Sequence, residues 1–271
     1  MVELPGERNG APAERLLAIF AHPDDESIVA GGTLAACAAA GVEVVVVSAT
    51  RGEQGPIADA GLATRATLGD VREGEFQQAC ALLGVRTAEC WRFPDGELDD
   101  AKADLAREIT SAIHRWRPGV VISFGRDGLY RHPDHVAVHG ATAAALCAVT
   151  AAAAPWAYQA TWPEDWMAEL VAAVTARGLT SDLWGLDPDD FGVARSSITT
   201  VVDVRAFLTH KLGALESHRS QLTPRHLFRV IPRDLQEHYL GLEFFVRAQP
   251  REAERDWLCG VVATAHAGMR A

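Results

Sequence analysis

Histidines and acidic residues occur together in two short segments that lie far apart in the sequence. The first is His22-Pro23-Asp24-Asp25-Glu26, after the apolar run LLAIFA; the second is His132-Pro133-Asp134-His135, after the apolar run VVISF and a loop that contains glycine. Each apolar run is typical of a buried strand. Proline followed by acidic residues also favours a helix N-terminus for purely local reasons, so helix capping is an equally simple explanation of the first segment alone.

The two segments together indicate a metal site. In an open parallel sheet both would lie at the carboxyl ends of strands, where such folds bind ligands, and three histidines, three aspartates and a glutamate would share one cleft. Carboxylates so close together repel one another and take up protons unless a cation compensates them. Zinc in catalytic sites keeps three protein ligands and an open position. We predict His22, Asp25 and His135 as ligands of Zn²⁺; another divalent metal such as Fe²⁺ is left open.

Other residues of these segments suit the remaining steps of amide hydrolysis. Asp24 follows a ligand in a tight turn and is predicted to be the general base that takes a proton from water; helix capping alone is the alternative. His132 is not needed as a ligand, so we predict that it acts as electrophile or general acid. Asp134 is expected to fix the orientation of His132.

The motifs AHPDDE and HPDH form a pair that resembles the signature of the PIG-L/LmbE-like zinc-dependent N-deacetylases. That family includes the de-N-acetylases of N-acetylglucosaminyl-phosphatidylinositol and of the mycothiol and bacillithiol precursors. Both motifs are present without substitution, and the resemblance spans about Arg15 to Val246. It implies a zinc-dependent hydrolase that removes the N-acetyl group from an N-acetylated amino sugar or glycoconjugate of the GlcNAc type and releases acetate.

The resemblance also implies roles for residues outside the two motifs. Tyr130 stands where the family has a tyrosine that hydrogen-bonds the oxyanion. Arg72 inherits a substrate contact, although an ion pair with Glu75, three residues later, is the simpler explanation. Asp95 lies where the family often has a substrate-binding aspartate, in a Pro-Asp-Gly sequence that is also an ordinary turn. Glu53 follows the strand predicted at Val42–Ser48, and from that position alone we predict a further substrate contact.

Alternating strand and helix signals up to Ala148 predict an α/β fold, a Rossmann-like and mostly parallel sheet flanked by helices. Residues 1–13 are expected to be a flexible tail and residues 14–271 a single domain. The tryptophan-rich stretch 155–196 is predicted to be a variable insert over the active site, a lid or small lobe. Its tryptophans are expected to form a small core, with sugar stacking as the alternative.

Composition limits the classes of partner. A net charge of −11 without a basic stripe argues against nucleic-acid binding, and neither a secretion signal nor a membrane span is evident. We therefore expect a cytoplasmic enzyme with a small-molecule N-acetylated sugar as substrate; a homo-oligomer is left open. The alternatives are an amidase acting on a thiol-sugar conjugate, a non-catalytic metal-binding or carbohydrate-binding module, and a nucleotide-dependent oxidoreductase, whose glycine spacing is absent.

Overall fold

A computed structural model describes residues 15–150, 154–248 and 256–268 and contains a seven-stranded sheet. The predicted tail, 1–13, lies outside the described residues. The strands are β1 (Arg15–Phe20), β2 (Glu43–Ser48), β3 (Thr87–Cys90), β4 (Val120–Phe124), β5 (Trp156–Thr161), β6 (Thr200–Asp203) and β7 (Leu242–Arg247). Their order in the sheet is β3-β2-β1-β4-β5-β7-β6.

The parallel half of the sheet brings the two chemical motifs together. Strands β1 to β5 are parallel, and β1 lies between β2 and β4, with Leu17 opposite both Val45 and Val121. All three strands are buried almost throughout, which explains their nearly continuous apolar sequences. Because β1 and β4 are neighbours, the loops after their carboxyl ends start side by side.

Helices cover the sheet: α1 (Asp25–Val29), α2 (Gly31–Ala39), α3 (Leu68–Leu82), α4 (Lys102–Trp116), α5 (Gly128–Arg131), α6 (Pro133–Ala148), α7 (Trp166–Thr175), α8 (Leu208–Ser217), α9 (Leu227–Val230), α10 (Arg233–Tyr239) and α11 (Trp257–Gly268). In the described part of the chain, no helix is long and apolar enough to cross a membrane.

The segment between the first motif and β2 does not form one continuous helix, because the chain breaks at Ala30 into α1 and α2. The Glu243 carboxylate caps the new N-terminus at 2.9 Å from Gly32 N and 2.8 Å from Thr33 N. A Cβ on Gly32 would lie 2.5 Å from Val204, so only glycine allows this close approach.

The carboxyl-terminal half departs from the parallel pattern. Strand β7 pairs antiparallel with both β5 and β6, and therefore lies between them. Strand β5 is an interior strand, so the insert predicted from residue 155 leaves the sheet only after Thr161. Beyond it, the Trp166 ring packs 4.8 Å from Phe244 and 5.2 Å from Tyr239, a small core of the predicted kind, whereas Trp162 and Trp184 line a cleft.

Candidate active site

The turn after β1 places three polar residues at the edge of the sheet. His22 ends the buried run, and Asp25 begins α1. Between them, Asp24 has φ of 126°, a conformation that a residue with a side chain rarely adopts. Its N–H donates to Glu26 Oε2 at 3.0 Å. Such strain persists only where neighbouring contacts hold it, and it is common at functional sites.

His22, Asp25 and His135, the predicted metal ligands, lie close together in the structure. His22 Nδ1 lies 3.2 Å from His135 Nε2 and 3.5 Å from Asp25 Oδ2, and Asp25 Oδ1 lies 3.4 Å from His135 Nε2. A tetrahedral ion with bonds of about 2.0–2.1 Å separates its ligand atoms by about 3.3–3.4 Å. The three residues thus fit zinc in spacing and in donor chemistry.

The outer nitrogens of both histidines face oxygen atoms. His22 Nε2 lies 3.1 Å from Asp95 Oδ1 and 3.2 Å from Asp134 Oδ2, and His135 Nδ1 lies 3.1 Å from the Gly128 carbonyl. These acceptors assign the ring protons to the outer nitrogens. The inner nitrogens, His22 Nδ1 and His135 Nε2, then carry no proton, and their lone pairs face each other across 3.2 Å. A proton or a metal cation therefore has to lie between them. Carboxylate or carbonyl partners on the outer nitrogen are typical of metal-binding histidines.

The charges around His22 also favour a cation. Burial by itself lowers the pKa of His22, but the carboxylates of Asp134, Asp25 and Asp95 outweigh burial and raise the pKa well above its ordinary value. Two further groups bring ligand atoms within 4.8 Å of one another: His22 with His132 and His135, and His22 with Asp95 and Asp134. We prefer the set with Asp25, because its carboxylate brings a negative charge to the point where His22 Nδ1 and His135 Nε2 face each other.

Asp134 contacts His132 through its backbone N–H and not through its carboxylate. Its carboxylate accepts the N–H groups of Gly96 (2.8 Å) and Leu98 (3.1 Å) and contacts His22, not the imidazole of His132. Only the backbone N–H of Asp134 reaches His132, donating to Nδ1 at 3.2 Å. Since Nδ1 accepts, His132 in its neutral form carries its proton on Nε2. Burial, with the neighbouring His135 and His22, lowers the pKa of His132 to about 4.

Asp24 lies beside the three predicted ligands and is paired with Arg72. Arg72 Nη2 donates to Asp24 Oδ2 at 3.0 Å and to the Pro23 carbonyl at 2.6 Å, and Nη1 donates to the Gly52 carbonyl at 2.8 Å. Burial raises the pKa of Asp24 to about 6, against the charge of Arg72. The alternative ion pair of Arg72 with Glu75 does not form, because Glu75 accepts from Ser220 instead.

The other predicted substrate contacts differ in position. Tyr130 lines the cleft, its ring 5.7 Å from that of His132, and burial raises the pKa of its phenol above the ordinary value. Asp95 also lines the cleft, but its carboxylate is engaged by His22 and by the Gln54 N–H. Glu53 is not among the lining residues. Its Oε1 accepts the Asp95 N–H at 3.3 Å, so Glu53 stabilises the turn that contains Asp95.

A buried network behind Asp24 was missed by sequence reasoning. Glu26 is fully buried and, contrary to expectation, does not face the cleft. Its Oε1 lies 2.8 Å from His218 Nε2 and 2.5 Å from Ser27 Oγ, while Oε2 holds the Asp24 N–H. Its place in the AHPDDE motif was a signal for its importance, but nothing in the sequence indicated that its partner is His218, the residue after α8.

The cleft in front of these residues has a volume of about 570 Å³, within the range of small-molecule sites. Apolar and aromatic side chains, among them Ile57, Trp162 and Trp184, form much of the wall, and sequence reasoning assigned no site role to Ile57. Most predicted site residues line the cleft: His22, Asp24, Asp25, Arg72, Asp95, Tyr130 and His132. His135 and Asp134 lie behind the wall, almost fully buried.

Solved structures share this fold at low sequence identity. The 4-carboxy-2-hydroxymuconate hydratase GalB of Pseudomonas putida KT2440 superposes with a TM-score of 0.65 and 19% identity, covering 90% of this chain and 99% of that one. The N,N'-diacetylchitobiose deacetylase of Pyrococcus horikoshii gives a TM-score of 0.53 and 22% identity, covering 87% of this chain and 82% of that one. A hydratase and a deacetylase thus share the fold, so the fold alone does not determine the reaction.

Sequence similarity distinguishes between families that share this fold. Residues 17–146 match the PIG-L family, described as GlcNAc-PI de-N-acetylase. The 1D-myo-inositol 2-acetamido-2-deoxy-alpha-D-glucopyranoside deacetylase of Acidothermus cellulolyticus is 34% identical over 256 residues, covering 85% of this chain and 87% of the relative. The predicted fold, family and enzyme class, an amide hydrolase, are confirmed. With its AHPDDE and HPDH motifs side by side at one edge of the sheet, the chain belongs to the PIG-L family.

Proposed function

We propose that the chain is a zinc-dependent N-deacetylase that hydrolyses the N-acetyl amide of a GlcNAc-type glycoconjugate and releases acetate. The observation that carries the proposal is the convergence of His22 Nδ1, His135 Nε2 and the Asp25 carboxylate within 3.5 Å of one another. Asp24 and His132 line the adjoining cleft and supply the groups that hydrolysis needs beyond a metal. The relative from Acidothermus cellulolyticus, named for an inositol glycoside of N-acetylglucosamine, supports this substrate class.

Zinc, when bound by His22, Asp25 and His135, would polarise the amide carbonyl and lower the pKa of a bound water to about 7. Asp95, Asp134 and the Gly128 carbonyl orient the two imidazoles for this task by accepting their outer N–H groups. Another divalent metal with the same ligand preferences would fit the same residues.

Asp24 is the proposed general base. It takes a proton from the attacking water, whose oxygen bonds to the carbonyl carbon, and passes that proton to the nitrogen as the C–N bond breaks. Arg72 holds one carboxylate oxygen through a 3.0 Å contact and so fixes the direction of the other. The pKa of about 6 is close to the operating range of a general base at neutral pH.

His132 is the proposed electrophile. In the neutral form set by the Asp134 N–H, its Nε2–H donates a hydrogen bond to the carbonyl oxygen as negative charge develops there. A neutral imidazole serves as a hydrogen-bond donor and not as a full proton donor, which favours the electrophile over the general-acid alternative. Tyr130, on the same wall of the cleft, is a second candidate donor to this oxygen.

Two variants separate metal binding from proton transfer. Asp24→Asn should keep its zinc while acetate release from N-acetylglucosaminides falls by about 10²–10⁴-fold. His135→Ala should lose both zinc and activity. Zinc content is measured on purified protein, and activity as acetate released with and without a chelator.

Equal zinc content in both variants would contradict this division of roles. Zinc and sugar binding without acetate release by the unmodified chain, on any N-acetylated sugar, would instead indicate a non-catalytic module. The cytoplasmic location and the oligomeric state stay predictions.

A further inference from the structure

The two histidines predicted as metal ligands are oriented by different kinds of acceptor. The outer nitrogen of His22 faces two carboxylates, those of Asp95 and Asp134. His135 Nδ1 instead donates to a backbone carbonyl, that of Gly128, at 3.1 Å. An ionised acceptor forms the stronger hydrogen bond and polarises the imidazole more than a neutral carbonyl does. His135 therefore depends on whatever holds and polarises the Gly128 carbonyl.

The peptide group that contains this carbonyl also donates to a carboxylate. The Gly128 carbonyl and the Leu129 N–H belong to one peptide unit, and the Leu129 N–H donates to Asp127 Oδ2 at 3.1 Å. In a planar trans peptide the N–H and the C=O point in opposite directions. Asp127 on one side and His135 on the other therefore hold this peptide between them.

The backbone around this peptide is strained and needs such support. Leu129 has φ of 64° and ψ of −56°, which a bulky residue seldom adopts, and Arg131 has φ of 61°. Strain of this kind persists only where surrounding contacts hold it. The Asp127 side chain provides one such contact, and the Gly192 N–H, which donates to the Leu129 carbonyl at 2.8 Å, provides another.

Asp127 is in turn fixed by the sheet. Its Oδ2 also accepts the hydroxyl of Thr161, a buried residue at the end of β5, at 2.9 Å. The other acceptor near this hydroxyl, the Trp162 carbonyl, is farther away at 3.4 Å. Gly125 leaves room for the carboxylate, because a Cβ there would collide with Asp127 Oδ1. Asp127 is not among the residues that line the catalytic cleft, so any effect on the reaction passes through other residues.

We propose that Asp127 is a positioning residue for the metal site: its carboxylate orients and polarises the peptide between Gly128 and Leu129, and that peptide orients and polarises His135. Hydrogen bonds in a chain polarise one another. The charge of Asp127 therefore increases the electron density on His135 Nε2 and strengthens zinc binding. The inference rests on the proposed zinc site and adds to it a residue outside both the predicted ligands and the cleft.

The experiment measures the dissociation constant of zinc by competition with a chelating dye, in the unmodified chain and in variants. Asp127→Ala should raise this constant about tenfold, at the lower end of the range for groups that orient metal ligands. Asp127→Asn should recover most of the loss, because its amide oxygen still accepts the Leu129 N–H.

Asp203→Ala is the matched control. The Asp203 carboxylate likewise accepts the N–H two residues later, from Arg205 at 3.1 Å, but it lies in β6 at the far edge of the sheet. Its loss should change the dissociation constant of zinc less than about twofold. Equal losses in Asp127→Ala and Asp203→Ala would reduce Asp127 to a residue of general stability and overturn the proposal.

Thr161→Val is a second variant, which serves if Asp127→Ala does not fold. It keeps the Asp127 carboxylate but removes the hydroxyl that holds it, so zinc binding should weaken in the same direction. Unchanged zinc affinity in both variants would overturn the proposal. A fall in kcat at saturating zinc, with an unchanged dissociation constant, would also overturn it, because the effect would then act through another residue of the loop, such as Tyr130. Failure of the unmodified chain to bind zinc would refute the metal site itself, which is a separate outcome.

Discussion

Glu26 connects the buried interior to the predicted base. One carboxylate oxygen faces His218 and Ser27, and the other holds the backbone N–H of Asp24, whose φ of 126° needs such support. The ring of His218 is itself almost fully buried, so the position of this carboxylate is fixed from behind. At the scale of single residues, we therefore expect Glu26 to act on the reaction through the position of Asp24.

Glu26→Ala should lower kcat by about 10–100-fold with little change in KM or in zinc content, because a misplaced base costs rate more than binding. Glu26→Gln should recover much of the loss, since its amide oxygen still accepts the Asp24 N–H. In an Asp24→Asn background, Glu26→Ala should cost less than about threefold, because the base it positions is already absent. Independent, additive losses in the double variant would show that Glu26 serves only general stability.

Residue types at the site could be predicted from sequence, but their partners could not. His22, Asp25 and His135 converge because their motifs follow neighbouring strands, and that relation is visible in the apolar runs. The carboxylate of Asp134 turns away from His132 because two N–H groups after β3 attract it, and no sequence signal joins those loops. For the same reason Glu53, predicted at the substrate, instead supports the turn at Asp95.

At the scale of elements, α2 begins on a buried ion pair. Lys211 Nζ lies 2.7 Å from Glu243 Oε1, both side chains are almost fully buried, and the same carboxylate caps Gly32 and Thr33. Removing one member of a buried pair leaves an uncompensated charge, which costs about 3–5 kcal/mol. Here two helix N–H groups also lose their acceptor.

Glu243→Ala should therefore lower the midpoint of thermal unfolding by about 10 °C, at about 2–4 °C for each kcal/mol in a chain of this size. Asp234→Ala, which breaks the exposed pair with Arg177, is the matched control and should change the stability by less than about 1 kcal/mol. Calorimetry or circular dichroism measures both. Similar midpoints for the two variants would mean that the buried pair contributes no more than a surface pair.

The elements that were predicted well are those with a strong local signal. Strands β1, β2 and β4 are apolar runs, and α6 begins at a proline, as expected. The break between α1 and α2 was not predictable, since its cause is Glu243, a residue from the other end of the chain. Helix propensity depends on a residue and its neighbours in the sequence, whereas this helix cap depends on a tertiary contact with Glu243.

At the scale of the whole molecule, the alternating strands and helices predicted the parallel strands β1 to β5 but not the antiparallel strands β6 and β7. Nothing in the sequences of β6 and β7 indicates that the later strand lies between β5 and the earlier one, in the antiparallel direction. That arrangement brings Glu243 of β7 under α2. It explains how residues from the last third of the chain support a site whose motifs come from the first half.

The predicted ligands join two distant crossovers, one after β1 and one after β4, so a metal ion should stabilise the whole fold. Zinc at about 100 times its dissociation constant adds about 2.7 kcal/mol if it binds only the folded chain, which corresponds to about 5–10 °C in the unfolding midpoint. Thermal unfolding is followed with zinc and with chelator: the unmodified chain and Asp24→Asn should show this shift, and His135→Ala should show none. If zinc raised the unfolding midpoint of His135→Ala by the full amount, the ion would bind at another site. Without His135, no nitrogen faces the lone pair of His22 Nδ1 across 3.2 Å, so the predicted site would have lost one ligand.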